Sequence, residues 1–193
     1  MRRTIITLLL GTAALALPSG TALAEESHVA PMTEYVTGKI KPWLNDAVVI
    51  SAIKAQNAAN AKLSDADIQA LDKKWRAEVD GSNRAMIDGV LGNALSKFLV
   101  EQKDKSGGTV TEMFVMDAKG LNVGQSDVTS DYWQGDEAKF KKSFGAGKDA
   151  VFIDGVEKDE SSQTLQSQAS VTISDEAGTP IGAITVGINV NSL

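Results

Sequence analysis

The chain has no cysteine and a single histidine, His28, and these two shortages remove whole classes of chemistry. Without a thiol there is no cysteine nucleophile, no disulfide framework and no thiolate metal site. A histidine-based triad would need His28 to fold back from the start of the chain, and histidine-rich metal sites are out of reach. Arginine is scarce too: after Arg2 and Arg3 only Arg76 and Arg84 remain. The formal net charge is −6 with no basic cluster, which argues against nucleic acid and anionic lipid as partners. Long apolar runs are missing except at the N-terminus. There Arg2 and Arg3 precede an apolar stretch from Ile5 to Leu17, then Pro18, Gly20 and Ala22-Leu23-Ala24. That order predicts a secretory signal over residues 1–24, cleaved after Ala24. The run is shorter than the roughly 20 apolar residues a membrane span needs. The expected product is periplasmic, with no membrane insertion.

What is present changes character near residue 105. Residues 25–40 are expected to be a flexible or short helical lead-in that contains His28, with a short separate turn around Met32–Gly38. From Pro42 to Asn60 apolar residues at Leu44, Ala47, Val48, Ala52, Ala55 and Ala59 predict a helix by their spacing. A second helix starts at Ser64, with Asp67 placed for a capping box, and carries Ile68, Leu71, Trp75 and Val79 on one stripe. A third is expected to run unbroken from Asn83 to Glu101.

After a glycine-bearing loop, strands take over. Val110–Met116 is followed by Asp117-Ala118-Lys119-Gly120, a turn with a left-handed glycine, so Leu121–Gln125 returns as a hairpin partner. Gln163–Ser174, the Asp175–Gly178 turn and Pro180–Val190 repeat the device. Leu165, Ala169, Val171 and Ile173 alternate with Gln166, Gln168, Ser170 and Thr172. With a middle strand Val151-Phe152-Ile153, the pattern predicts an α+β domain over residues 41–193: N-terminal helices on a five-stranded antiparallel sheet.

Met116-Asp117-Ala118-Lys119-Gly120, the insert Ser126…Asp131-Tyr132-Trp133-Gln134-Gly135-Asp136 and the closing Ile181–Gly187 strand resemble the extracytoplasmic PAS-like sensor domains of the Cache (PDC) family. The resemblance covers residues 40–190. It implies a PAS-like sheet whose outer face, with the segments crossing it, holds a small-molecule ligand. It also implies signalling through a membrane sensor kinase or chemoreceptor, and homodimers paired through the N-terminal helix. Family members that bind amino acids clamp the carboxylate with an arginine, and this chain has none after Arg84. Lys119 or Lys148 could supply a point charge but not a bidentate fork.

The candidate ligand-binding residues are Tyr132, Trp133, Asp136, Phe152, Asp154 and Gln168. Tyr132 and Trp133 offer flat apolar walls with a polar tip, or they plug the end of the sheet. Asp136 is placed either to accept from a ligand amine or to cap the helix that follows. Phe152 is a core or wall residue, and Asp154 an end-of-strand contact or a turn residue before Gly155. Gln168 heads a polar row with Gln166 and Ser170, facing a pocket or water. No cofactor, metal or catalytic residue is called for. Calcium-loop spacing is absent from Asp154–Glu160, and Gly145-Ala146-Gly147-Lys148 is too short for a phosphate loop. The leading expectation is a periplasmic sensor domain without catalytic activity. Its rival is a protein–protein adaptor or inhibitor with the same fold and no pocket, using helix surfaces such as the alanine-rich Ala55–Ala61 stretch.

Overall fold

The computed structural model describes residues 27–158 and 164–193, so the signal segment expected over residues 1–24 lies outside the described residues. Helix α1 (Val29–Tyr35) runs on through a π-helical turn, Val36–Ile40, and a 3₁₀ turn, Lys41–Trp43. The helical path is continuous where a separate turn at Met32–Gly38 was expected. Met32, Val36 and Ile40, spaced four apart, all sink into the core. His28 at its start is buried, and its Nε2 lies 2.9 Å from the Asp154 carbonyl. A contact to the far end of the sheet fixes a residue that local sequence gave no reason to fix.

Helix α2 (Ala47–Asn60) buries Val49, Ile50 and Ile53. Of the residues whose spacing predicts the helix, Leu44, Val48 and Ala52 pack on the core, while Ala47, Ala55 and Ala59 are exposed. The larger β-branched side chains remove more apolar area from water than alanines, about 25 cal/mol per Å², and so decide the rotation of the helix. Helix α3 (Asp65–Val79) starts with the expected capping box: Ser64 Oγ accepts from the Asp67 N–H and Asp67 accepts back from the Ser64 N–H. The Ser64 hydroxyl, which donates to Asp67 Oδ2 at 2.6 Å, and the Ser64 N–H hold the Asp67 carboxyl below its ordinary range.

The expected third helix is two. Helix α4 (Ala85–Leu91) ends at Gly92, and α5 (Ala94–Lys105) begins after Asn93. Asn93 is extended at φ −74°, ψ 168°; its Oδ1 accepts from Ser96 N–H and its Nδ2 donates to the Val123 carbonyl. An N-cap that also bonds a strand outcompetes helix continuation. At the other end of α4, Glu78 of α3 accepts the N–H groups of Met86 and Ile87 at 2.7 and 3.1 Å. A carboxylate from the preceding helix thus caps the next one.

The strands are β1 (Val110–Asp117), β2 (Asn122–Gln125), β3 (Val151–Ile153), β4 (Glu157–Lys158), β5 (Leu165–Ser174) and β6 (Pro180–Asn189). They form one antiparallel sheet in the order β2-β1-β6-β5-β3, with the short β4 also on β5. The α+β architecture with N-terminal helices on a PAS-like sheet is as expected, with one small strand more than the five. The last strand lies between the first and the fifth, so the two hairpins share a single hydrogen-bonded centre. The helices cover one face: Leu95 and Leu99 join Val49, Ile50 and Ile53 against Met113, Val115, Val171, Ile184 and Val186. The opposite face carries a smaller cluster of Phe114, Met116, Phe140 and Ala183, backed by Phe144. A third cluster, Ile68, Trp75, Ile87, Leu121 and Tyr132, joins α3 and α4 to the β1–β2 turn. No helix among the described residues is long and apolar enough to cross a membrane.

Candidate functional site

Asp72 organises the segment that follows β2. It lies on the apolar stripe of α3 and is almost fully buried. Its Oδ1 accepts the N–H groups of Tyr132 and Trp133 at 2.9 and 3.0 Å, while Oδ2 accepts from Arg76 Nε at 2.8 Å. Arg76 also pairs with Asp131 at 3.0 Å. Its guanidinium is held above its ordinary range by the bond to Asp72 first and by Asp131 and Asp136 after it. So pinned, Tyr132 stacks on Trp75 at 5.3 Å, and the Trp133 indole donates to the Lys119 carbonyl at 2.9 Å. The insert crosses the β1–β2 turn at glycines: a Cβ on Gly120, where φ is +80°, would stand 2.6 Å from the Gly135 backbone. No other residue type admits that crossing.

A second buried carboxylate locks the turn itself. Asp117 is wholly buried; Oδ1 accepts from the Lys119 and Leu121 N–H groups, and Oδ2 from Gln56 Nε2 and Asn60 Nδ2. Asn57 adds a bond to the Ile181 carbonyl at 2.7 Å. Three amides of α2 thereby dock the helix on the β1–β2 turn and on β6, Asn57 also accepting the Ala118 N–H.

The six sequence candidates separate into different surroundings. Asp154 and Gln168 meet in a polar cavity of about 250 Å³ at the outer end of β5, together with Glu137, Lys139, Glu157 and Gln166. Gln168 Nε2 donates to Glu112 Oε1 at 2.8 Å, and Asp154 Oδ1 accepts the Gly155 N–H. Lys139 pairs with Glu137 at 2.9 Å and stands 5.5 Å from the Phe114 ring centroid. Phe152 is half-buried on β3 under the Lys142 ammonium, 4.5 Å from its ring centroid. Asp136 is exposed; the residue at the start of the short helix α6 (Ala138–Lys141) is Glu137, with no side-chain cap. Tyr132 lines another cavity, between α2 and α5, and Trp133 packs over the turn. Tyr132, Trp133 and Gln168 do not converge. Beside the β5 cavity the centre of the outer face is filled: Ser170 and Thr185 are wholly buried, 2.9 Å apart, and Phe140 stacks on Phe144.

Sequence reasoning passed over Asp72 and Glu112, and it read Asp117 as a turn residue without its bonds to α2. For Asp72 a signal existed, since a carboxylate stood between Ile68 and Trp75 on an otherwise apolar stripe. For Glu112 there was none.

Burial and the charge of Asp117 push the Tyr132 phenol up to about 12, and burial also raises Tyr35. These are the chain's two tyrosines. The fold favours the neutral phenol, so this stabilisation is complete below the ordinary value of 10.0 and is lost as pH rises towards about 12. Near-ultraviolet titration is expected to show little tyrosinate at pH 10 in the folded protein and about half ionisation in urea. Equal ionisation in both states would contradict this burial.

No protein-family model matches the chain, and no curated protein does. Solved structures similar to it include domains of histidine kinases and chemoreceptors. The sensor domain of the Vibrio cholerae histidine kinase DctB is 13% identical with a TM-score of 0.48, over 88% of this chain and 53% of that one. The ligand-binding domain of the Campylobacter jejuni chemoreceptor Tlp3, in complex with 4-methylisoleucine, gives 11% and 0.39 over 77% and 62%. The ligand-binding domain of the Pseudomonas aeruginosa PAO1 amino-acid chemoreceptor PctC, in complex with GABA, gives 10% and 0.37 over 86% and 58%. The chain therefore spans less than two thirds of the length of each.

Proposed function

We propose that this protein is an extracytoplasmic, Cache-like sensor domain that binds a small polar cation without chemistry and signals through a membrane kinase or chemoreceptor. The observation that carries the ligand class is the charge of the β5 cavity. Among the described residues that line it, Glu137, Asp154 and Glu157 face one ammonium, Lys139, which is already paired with Glu137. Gln166 and Gln168 add amides that orient but carry no charge. Among the described residues no three histidine, aspartate or glutamate side chains gather tightly enough to share a metal ion. Carboxylates spread along a cavity suit an organic cation such as a diamine or an amino acid bound through its amine. A secretory signal over residues 1–24 supports a periplasmic location.

The test is a thermal-shift screen with putrescine, spermidine, amino acids, small carboxylates and sugars. Amine-bearing compounds are expected to stabilise the fold, by about 2.7 kcal/mol at 100 times the dissociation constant. Asp154→Asn and Gln168→Ala are expected to weaken that shift. A folded protein that responds to none of the amines would end this reading.

The filled centre of the outer face favours a second reading, an adaptor or inhibitor without a ligand. Its partner surface would be the helices, with homodimerisation as the simplest form. A silent screen together with a dimer in sedimentation would select it.

A further inference from the structure

Glu112 of β1 does not line the β5 cavity, but it holds a residue that does. Gly187 of β6 pairs with Glu112 on one side and with Gln168 of β5 on the other. A Cβ on Gly187 would stand 2.7 Å from Glu112 Cγ and 3.2 Å from Glu112 Oε1. The glycine therefore leaves the space in which the two flanking side chains meet over the middle strand. Gln168 Nε2 donates there to Glu112 Oε1 at 2.8 Å.

That partner decides which end of the Gln168 amide faces the ligand. The oxygen and the NH₂ of a glutamine are close in shape, and a half-turn of the last bond exchanges them. A carboxylate only accepts, so Glu112 holds the NH₂ and excludes the turned amide. Gln168 is half-buried and lines the cavity, and its oxygen makes no hydrogen bond among the described residues. The cavity thus receives an acceptor from Gln168. Its neighbours act in the same sense. Ser167 spends its hydroxyl proton on the Asp154 carbonyl at 2.8 Å, while Asp154 takes the Gly155 N–H on Oδ1 and keeps Oδ2. None of the described residues lining the cavity is aromatic.

We infer, resting on the cation reading of this cavity, that Glu112 is a positioning residue which acts through the Gln168 amide and makes the site select a primary ammonium over a quaternary one. A primary ammonium carries three N–H donors and needs acceptors for them. Gln168 Oε1 and the Asp154 and Glu157 carboxylates supply these. A quaternary ammonium has no N–H and is held instead by aromatic faces. Glu112 itself touches no ligand.

The test compares putrescine with 1,4-bis(trimethylammonio)butane, which carries the same charges and no N–H, by isothermal titration. The parent is expected to bind putrescine and to reject the methylated compound. Glu112→Gln keeps the shape of the side chain but can donate as well as accept, so the Gln168 amide is free to turn. Putrescine affinity is expected to fall about tenfold. In NMR spectra the Gln168 NH₂ is expected to give two separate, slowly exchanging signals in the parent and to lose that protection in Glu112→Gln. With Gln168→Met in place, Glu112→Gln is expected to change putrescine affinity by less than about twofold, because Glu112 acts through the amide. Equal binding of the two compounds by the parent would overturn the selectivity. Unchanged putrescine affinity in Glu112→Gln, or the full loss repeated beside Gln168→Met, would overturn the role of Glu112 and leave the cation reading standing. A folded parent that binds no amine would end both.

Discussion

Asp117→Ala is expected to lower folding stability by about 4 kcal/mol, measured by urea denaturation, because this buried carboxylate accepts from four donors and only the Gln56 amide keeps other acceptors, the Leu121 and Asn122 carbonyls. Two of those donors are backbone N–H groups at the bottom of the β1–β2 turn, and the Leu121 N–H is buried. The other two are the amides by which α2 grips the hairpin. Asp117→Asn separates these contributions. One amide oxygen can still serve the turn, but its NH₂ then opposes the NH₂ groups of Gln56 and Asn60. A loss of about 2 kcal/mol is expected for it. Paired loss with Asn60→Ala is expected to be less than additive, since both act through one contact. A cost below about 1 kcal/mol for Asp117→Ala would mean that the hairpin holds α2 by apolar packing alone.

Asp72→Ala is the second large effect, about 3 kcal/mol, with a local signature as well as a global one. Removing this carboxylate strands the Tyr132 and Trp133 N–H groups and frees the insert from α3. Hydrogen exchange at those two amides is expected to accelerate to the rate of a freely opening loop, while β5 and β6 stay protected. Removing the Arg76 guanidinium is expected to cost less. It is largely exposed, and its pair with Asp131 is screened by solvent. Slow exchange retained at Tyr132 and Trp133 in Asp72→Ala would show that stacking on Trp75, not the carboxylate, fixes the insert.

Both effects arise from residues whose sequence context announced something smaller. Asp117 was legible as the first residue of a turn, and it does make that turn; its second oxygen is spent on a helix more than fifty residues away. The same limit explains the helix errors. Gly92-Asn93 is a stop-and-start signal, but the bond from Asn93 to Val123, which settles the break, depends on where β2 lies. The α2 stripe was ambiguous because alanine and β-branched residues both recur at helical spacing. Only the position of the sheet selected Val49, Ile50 and Ile53.

The sequence by itself determined the α+β class, the two hairpins with their Asp-x-x-Gly turns, and the Ser64–Asp67 cap, because each depends on contacts a few residues apart. It determined the acidic, cysteine-free chemistry as well. The tertiary structure decided which candidates share a cavity. It set Asp154 with Gln168 and sent Tyr132 to the opposite side of the sheet, since a loop's destination depends on the carboxylate that receives its N–H groups. Periodicity gives the face of an element; only packing gives what that face meets.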